Sequence, residues 1–473
     1  MAISLWLILA VAVGGRALFA WQEARHIPPS VLATVPFAQE AGNIAEAVAQ
    51  GRGFSDLYRQ PTGPTAWLAP AYPLLLAGIF RIFGIFTLGA FWAAATLNIC
   101  FSAGACVPLY FAGKRIGGVG LGAGAAWLWA VFPNGVIMPF EWIWVTSLAA
   151  LLATTILWAT IALDRSRRKR DWAGYGLLWG LALLASPELG SLLPFLVAWL
   201  VWRARAGAEG IADLKLEISE TAGGTPAPQG AADFLKRRRP AALSDRLAGP
   251  ALAIAIIAAC CAPWTVRNYI RFHRLVPLRS DFPFELWIGN NEVLNPAGRN
   301  PMAEITAYGQ IREYRQLGET AFLARKWREA TEFIWSHKRL ELWLSGRRAA
   351  AFWTGSADPV AAYRQADSLL IRFLFVANGV ATLGALAGIV VLAWRRSPYA
   401  FPAAAFPVVY PCAFYVTHAS LRYRHPIDPA LMLLGAAAIA GLFVRQGLLR
   451  AGKSPAAGEA KEPAGSRRYN KQL

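Results

Sequence analysis

The chain has 473 residues, of which 56% are hydrophobic and 16% are charged, and it contains 20 Trp and 25 Phe. This composition is too apolar for a soluble protein of this size and indicates a membrane protein. The net charge of +19 suggests nucleic-acid binding, but the basic residues lie in short stretches between apolar segments and form no groove-reading motif. We therefore expect no nucleic-acid partner.

Apolar segments of membrane-spanning length recur along the chain. The first, residues 3–21, contains Arg16, which we expect near its outer end, reaching the interface or facing a cavity. The sequence predicts an all-α polytopic membrane protein with about ten transmembrane helices. The other predicted spans are 88–112, 116–132, 142–163, 172–186, 189–202, 250–264, 369–394, 401–417 and 429–444.

Residues 67–86 are nearly long enough to cross the membrane, but they contain Pro70, Pro73 and Arg81. If they crossed, the loop 164–171, with five basic residues and two acids, would face outward. Short cytoplasmic loops normally carry the Lys and Arg residues, so we predict that residues 67–86 lie on the outer surface.

This topology divides the chain into four parts. Residues 1–266 form an N-terminal bundle that includes a first outer loop, 22–87, and a cytoplasmic insert, 204–246, predicted to be disordered. Residues 267–367 form a mainly helical outer domain with amphipathic helices at the membrane surface, 368–446 form C-terminal transmembrane helices, and 447–473 form a disordered tail. The five cysteines lie in apolar segments and are read as small buried residues.

The first outer loop carries the principal candidate for chemistry. Residues 37–54, FAQEAGNIAEAVAQGRGF, predict a short helix with Glu40 and Asn43 on a polar face and Ile44 and Val48 on an apolar face. Such a helix suits the bilayer surface, although an ordinary solvated loop helix has the same pattern. Glu141 and Glu188 are two further acids at the outward end, where each is either functional or paired with an arginine.

Basic residues cluster at the same end of the bundle. PWTVRNY places Arg267 and Asn268 where a span emerges, and HASLRYRHPIDP places Arg422 and Arg424 before the last span. Arginine binds phosphate oxygens bidentately and keeps its charge, although single arginines also serve as interface anchors. A carboxylate and arginines at one boundary predict a transferase acting on a lipid phosphate, with Glu40 as the base.

Five motifs in this order resemble bacterial members of glycosyltransferase family 39, the protein-mannosyltransferase-like branch of the multi-spanning (GT-C) glycosyltransferase superfamily. The resemblance covers nearly the whole chain except the 207–230 insert and the tail. The chain departs from the family at residues 39–42, QEAG, where many relatives have Asp or an Asp-Glu pair followed by an aromatic residue. The motifs are FAQEAGNIAEAVAQGRGF, WLAPAYPLLLAGIFRIFG, PWTVRNYIRFHRLVPLRS, ELWIGNN and LRYRHPIDP.

The resemblance implies an inverting glycosyltransferase at the periplasmic face of the bacterial inner membrane, with a polyprenyl-phosphate sugar donor and a protein, lipid or glycan acceptor. It implies Glu40 as the catalytic acid and Glu141 as an approximate match to a second acid. We expect no cofactor: some branches of the superfamily use a divalent metal, but no ligand cluster in this sequence requires one. The predicted substrate-binding residues are Asn43, Trp67, Glu141, Arg267, Asn268, His418, Arg422, Tyr423 and Arg424.

Two other functions compete with this hypothesis. A flippase or transporter of a lipid-linked substrate would have charged residues near the membrane midplane and matching broken helices in two repeats, whereas this chain gathers its polar residues at one boundary. A non-catalytic scaffold would share the fold without the chemistry. The sequence specifies neither the sugar nor the acceptor.

Overall fold

The structure, a computed structural model, describes residues 2–27, 37–164, 166, 168–204, 243–292 and 308–451. These residues are helical and contain no β-strand, which confirms the predicted all-α class. The helices in chain order are α1 Ala2–Ala24, α2 Gln39–Ala49, α3 Ala71–Phe83, α4 Leu88–Gly104, α5 Cys106–Val131, α6 Pro133–Glu141, α7 Thr146–Leu163, α8 Lys169–Ala185, α9 193–204, α10 Leu243–Phe272, α11 Phe282–Gly289, α12 Tyr308–Leu317, α13 Glu319–Ser336, α14 Lys338–Thr354, α15 Pro359–Gln365, α16 Leu369–Trp394, α17 Ala400–Val409, α18 Cys412–Val416, α19 Leu421–Arg424 and α20 Asp428–Ala451.

Within the described ranges, 6 helical runs are long and apolar enough to cross a membrane. The remaining predicted spans also fall on helices, but these are shorter or less apolar, so the count of ten crossings stays a prediction. Most of the predicted insert and tail lies outside the described residues, although α10 begins within the insert and α20 extends into the tail. The six runs are Ser4–Ala24, Leu88–Val131, Thr146–Leu163, Leu247–Phe272, Leu369–Trp394 and Leu421–Leu442.

The longest run, Leu88–Val131, is not one straight helix. Gly118 has a φ of 88°, a left-handed conformation that glycine adopts readily because it has no Cβ. Gly117 is also non-helical. The backbone on the two sides of this kink comes close together, since a Cβ on Gly122 would lie 2.4 Å from the carbonyl oxygen of Tyr110. The kink falls between the predicted spans 88–112 and 116–132.

Helix α3 is too short to cross a bilayer. Its 13 residues extend about 20 Å, whereas the hydrocarbon core is about 30 Å thick. Phe37, which precedes α2, makes edge-to-face contacts with Phe80 of α3 and with Phe86 and Phe91 beyond it. This aromatic cluster fixes α2 beside α3 and therefore determines where Glu40 lies.

Arg16 is fully buried in the bundle, so the expectation that it reaches the interface or faces a cavity is wrong. Its guanidinium donates hydrogen bonds to the Ser102 hydroxyl at 2.9 Å and to the carbonyl oxygens of Ala12, Trp129 and Ala130 at 2.9, 3.3 and 3.0 Å. These carbonyls include two at the end of α5, which lack helical partners. Arg16 therefore joins α1 to α5.

Arg424 is a second buried arginine. It donates hydrogen bonds to Asp428 at 2.7 Å, to the Trp353 carbonyl oxygen at 2.6 Å, and to Asn378. Asn134 in turn donates to Asn378 at 2.8 Å. This network joins α6, α14, α16 and the start of α20 in the interior of the bundle.

We expect Arg424→Met to lower the free energy of unfolding by about 3 to 5 kcal/mol, because it leaves the buried Asp428 carboxylate without its cation. The measurement is reversible denaturation in detergent micelles. The double variant Arg424→Met, Asp428→Leu should recover part of the loss, since it also removes the unpaired charge. A single variant as stable as one with a change at the exposed Arg328 would contradict this prediction.

Candidate active-site cavity

A cavity of about 440 Å³ lies at one end of the bundle, within the usual size range of small-ligand sites. Ala41 and five longer segments line it: 68–73, 144–149, 185–191, 277–285 and 410–426. Its walls are largely apolar and aromatic, with charged groups from several of these segments. The charged lining residues are Glu188, Arg279, Asp281, Glu285 and Arg422.

Arg422 is held against aromatic rings. Its guanidinium carbon lies 4.8 Å from the ring centroid of Trp142, 5.5 Å from that of Trp144 and 5.0 Å from that of Tyr423. It donates a hydrogen bond to the Tyr423 hydroxyl at 2.9 Å. In the part of the chain that the structure describes, no carboxylate lies within ion-pair distance of Arg422, so its charge is available to an anionic ligand.

Glu40 lies in the first turn of α2, next to Ala41, which lines the cavity. Burial raises the pKa of Glu40, the positive charge of Arg422 lowers it, and the negative charge of Glu285 raises it further. Glu40 itself does not line the cavity, but its neighbour Ala41 does, together with Glu285 and Arg422.

The backbone around Glu40 is unusual. Ala38 and Gln39 have φ values of 62° and 41°, which place them in the left-handed region rarely adopted by residues with a Cβ. A Cβ on Gly42 would lie 2.2 Å from the carbonyl oxygen of Phe37. The segment QEAG, which departs from the family pattern, therefore contains a glycine that close backbone packing requires. The strained turn before it sets the position of Glu40.

Glu285 is connected to Arg422 through two side chains. Its carboxylate lies 3.1 Å from Nδ1 of His418, and Nε2 of His418 lies 2.7 Å from the Tyr423 hydroxyl, which also accepts the hydrogen bond from Arg422. Burial lowers the pKa of His418, while the Glu285 carboxylate partly offsets that effect. The network joins α11 to the loop before α19.

Arg348 of α14 holds together the two segments that carry Glu285 and His418. It donates hydrogen bonds to the Gly289 carbonyl oxygen at 2.5 Å, to Asn290 at 3.0 Å and to the Val416 carbonyl oxygen at 3.0 Å, and it pairs with Glu341 at 2.8 Å. Asn290 donates to the same Val416 carbonyl at 2.8 Å. The end of ELWIGNN is thus joined to the segment that leads to His418.

Arg279 is the centre of a second charged group. Its Nη1 atom lies 2.5 Å from Glu188, and its Nε atom lies 2.8 Å from Asp281. The other oxygen of Glu188 accepts a hydrogen bond from the Ser186 hydroxyl at 2.8 Å. Burial raises the pKa of Asp281, and the adjacent Arg279 opposes that shift.

The PWTVRNY motif holds the loop that carries Arg279. Trp264 donates to the Leu278 carbonyl oxygen at 2.6 Å and Asn268 to that of Val276 at 3.0 Å. Arg267 donates to the carbonyl oxygens of Thr65 and Phe54, both at 2.7 Å. Arg267 and Asn268 therefore tie loops together and do not line the cavity.

The structure brings only some of the predicted site residues together. Arg422 and Tyr423 line the cavity, His418 contacts Tyr423, and Glu40 lies beside it. Four others lie elsewhere, in addition to Arg267 and Asn268 described above. Asn43 donates to the Leu57 carbonyl oxygen, Trp67 packs on Phe284, Glu141 is exposed with Glu23 nearby, and Arg424 is sealed in the bundle.

Three cavity residues, Arg279, Asp281 and Glu285, were absent from the predicted set. Arg279 and Glu285 lie in motifs that carried the family resemblance, PWTVRNYIRFHRLVPLRS and ELWIGNN, so those motifs were the available signal. Each motif contains several polar residues, and nothing in the linear order shows which of them faces a cavity. The described residues contain no group of three or more His, Cys, Asp and Glu that could hold a metal ion.

No protein-family model matches the sequence, and no curated protein is significantly similar to it. Solved structures are similar in fold. The oligosaccharyltransferase of Archaeoglobus fulgidus, in complex with an inhibitory peptide and a dolichol-phosphate, is 13% identical over 97% of this chain and 52% of its own, with a TM-score of 0.52. The same enzyme tethered to an acceptor peptide is 14% identical over 96% and 51%, with a TM-score of 0.55. ArnT from Cupriavidus metallidurans is 15% identical over 93% and 78%, with a TM-score of 0.35.

The chain therefore spans about half the length of the archaeal enzyme. At these identities the likeness shows the fold alone, which this chain shares with part of the archaeal oligosaccharyltransferase. The apolar helices and this fold together identify an integral membrane protein. Membership of family 39 stays a prediction.

Proposed function

We propose that the protein is an inverting glycosyltransferase that uses a polyprenyl-phosphate sugar donor at the outer face of the bacterial cytoplasmic membrane. One observation carries the proposal: Arg422, without an ion pair in the described part of the chain, lines an apolar cavity whose wall includes Ala41, the residue next to Glu40. A lipid phosphate needs a cation and an apolar surface, and the acceptor needs a base. The archaeal oligosaccharyltransferase of similar fold has been solved with a dolichol-phosphate.

The reaction is a single displacement at the anomeric carbon of the donor sugar. Glu40 takes the proton of an acceptor hydroxyl while the hydroxyl oxygen forms a bond to that carbon. The bond from the carbon to the phosphate oxygen breaks, and its electron pair leaves with the phosphate. Arg422 stabilises the negative charge on this leaving group. Attack from the opposite side inverts the configuration and releases polyprenyl phosphate.

The environment of Glu40 suits a base. Burial raises its pKa, and a carboxylate with a raised pKa accepts a proton more readily than an ordinary glutamate. Arg422 limits this rise, so that the ionised form remains accessible. The same arginine therefore favours the ionised base and stabilises the leaving group.

Replacing Glu40 with Gln should lower kcat by about 10²- to 10⁴-fold, because the amide cannot accept the proton. The measurement is transfer from radiolabelled undecaprenyl-phosphate sugars by purified protein. Glu46→Gln on the same helix is the matched control and should retain activity. Among the described residues, the hydrogen-bond partner of the Glu46 side chain is the exposed Gln50. Full activity of the Glu40 variant would remove Glu40 from the mechanism.

The pH dependence of kcat/KM tests the ionised base separately. Activity requires the carboxylate, so it should fall as the pH is lowered through the pKa of Glu40. Because burial raises that pKa, the fall should occur above the value of about 4.3 that is usual for glutamate. The residual activity of Glu40→Gln should lack this fall, and a wild-type profile with no acidic limb above that range would contradict the assignment.

Replacing Arg422 with Gln should weaken binding of undecaprenyl phosphate by about tenfold or more, because a charge-assisted contact to the phosphate is lost. It should also move the acidic limb to higher pH, since Arg422 lowers the pKa of Glu40. Exposed Arg328 provides the control variant, Arg328→Gln. Unchanged phosphate affinity would show that Arg422 is an anchor and not a ligand-binding group.

A further inference from the structure

The two arginines of the cavity differ in their electrostatic surroundings. Arg422 is stacked on aromatic rings without an ion pair in the described residues, whereas Arg279 contacts two carboxylates, Glu188 at 2.5 Å and Asp281 at 2.8 Å. With both acids ionised, the group around Arg279 has a net charge of minus one; with Asp281 protonated, its charge is zero. Neither state attracts a phosphate, so the Arg279 group is suited to a neutral, polar ligand.

Unused hydrogen-bonding capacity in this group faces the cavity. Asp281 is 2% exposed and lines the cavity, and its Oδ1 atom is in ion-pair contact with Nε of Arg279 at 2.8 Å but accepts no hydrogen bond of good geometry from the described residues. Nη2 of Arg279 likewise has no hydrogen-bond partner among the described side chains and carbonyls, while Nη1 and Nε face the carboxylates. Each carboxylate oxygen has two lone pairs and a guanidinium has five N–H groups, so this group can still accept and donate hydrogen bonds to a polar ligand in the cavity.

The Arg279 group adjoins the proposed reaction centre. Asp281 and Glu285 line the same cavity as Ala41, the residue next to Glu40. Tyr423, whose hydroxyl accepts a hydrogen bond from Arg422, lies within electrostatic reach of Arg279. A ligand whose phosphate contacts Arg422 therefore occupies the cavity that the Arg279 group also lines.

We propose that Glu188, Arg279 and Asp281 form the subsite that binds the hydroxyl groups of the donor sugar. The two carboxylates accept hydrogen bonds from sugar hydroxyls, and Nη2 of Arg279 donates one. This inference rests on the proposed function, and it adds that Arg422 binds the phosphate while the Arg279 group selects the sugar. A sugar without a hydroxyl at the matching position leaves a charged side chain of the subsite without its hydrogen bond. Discrimination between sugars is therefore expected to be strong.

The test compares the affinities of the purified full chain, in lipid nanodiscs, for undecaprenyl phosphate and for undecaprenyl-phosphate mannose, glucose and arabinose. Wild type should bind at least one sugar-linked lipid more tightly than the bare phosphate. Glu188→Gln and Asp281→Asn should each reduce that advantage by about tenfold or more. Both should leave the affinity for bare undecaprenyl phosphate within about twofold of wild type.

Glu313→Gln is the matched control, because Glu313 also contacts two cations, Arg325 and Lys326, but lies outside the cavity. It should keep the full advantage of the sugar. Thermal unfolding identifies a variant that fails to fold. If Glu188→Gln is unstable, the affinities of Asp281→Asn decide whether the subsite exists.

The outcomes separate the subsite from the proposed function. Variants that bind sugar-linked lipid as well as wild type does overturn the subsite and leave the glycosyltransferase proposal intact. A wild type that gains nothing from any of the three sugars also overturns the subsite. A wild type that binds neither bare nor sugar-linked lipid overturns the proposed function and this inference with it.

Discussion

The hydrogen bonds of Arg348 are the interaction on which the cavity depends. They join the end of α11 to residues 415–416, and these two segments are more than a hundred residues apart in the chain. Through this junction Glu285 meets His418, and His418 meets the Tyr423 hydroxyl that Arg422 also contacts. Asn290 reinforces the junction with its own hydrogen bond to the Val416 carbonyl oxygen.

The hydrogen bonds of the buried arginines distinguish those that hold the fold together from the one that is a candidate ligand-binding residue. Arg16, Arg348 and Arg424 donate to carbonyls and side chains of the protein itself, as burial demands. Among the residues that the structure describes, Arg422 makes one hydrogen bond, to Tyr423, and otherwise contacts aromatic rings. An arginine kept in place by aromatic rings retains its charge for a ligand, and this distinction gives Arg422 and Arg424, two residues apart, different roles.

Much of the architecture was predictable because it follows from composition and periodicity. Apolar runs separated by basic stretches predicted the helices, and Pro70, Pro73 and Arg81 indicated that residues 67–86 do not cross. Helix α3 is indeed only 13 residues long. The candidate site was less predictable. Motif reading found Glu40, His418, Arg422 and Tyr423, but it also selected Arg267 and Asn268, which bind backbone carbonyls.

The sequence by itself determined that this chain is helical and membrane-embedded, and that acids and arginines gather between its apolar segments, because these properties depend on local composition. Only the tertiary structure decided which charges meet. A carboxylate such as Asp281 is one polar residue among many in the linear order, and its burial beside Arg279 at the cavity is evident only when distant segments enclose it. Burial and pairing are properties of three-dimensional neighbours, and a single sequence does not specify those neighbours residue by residue.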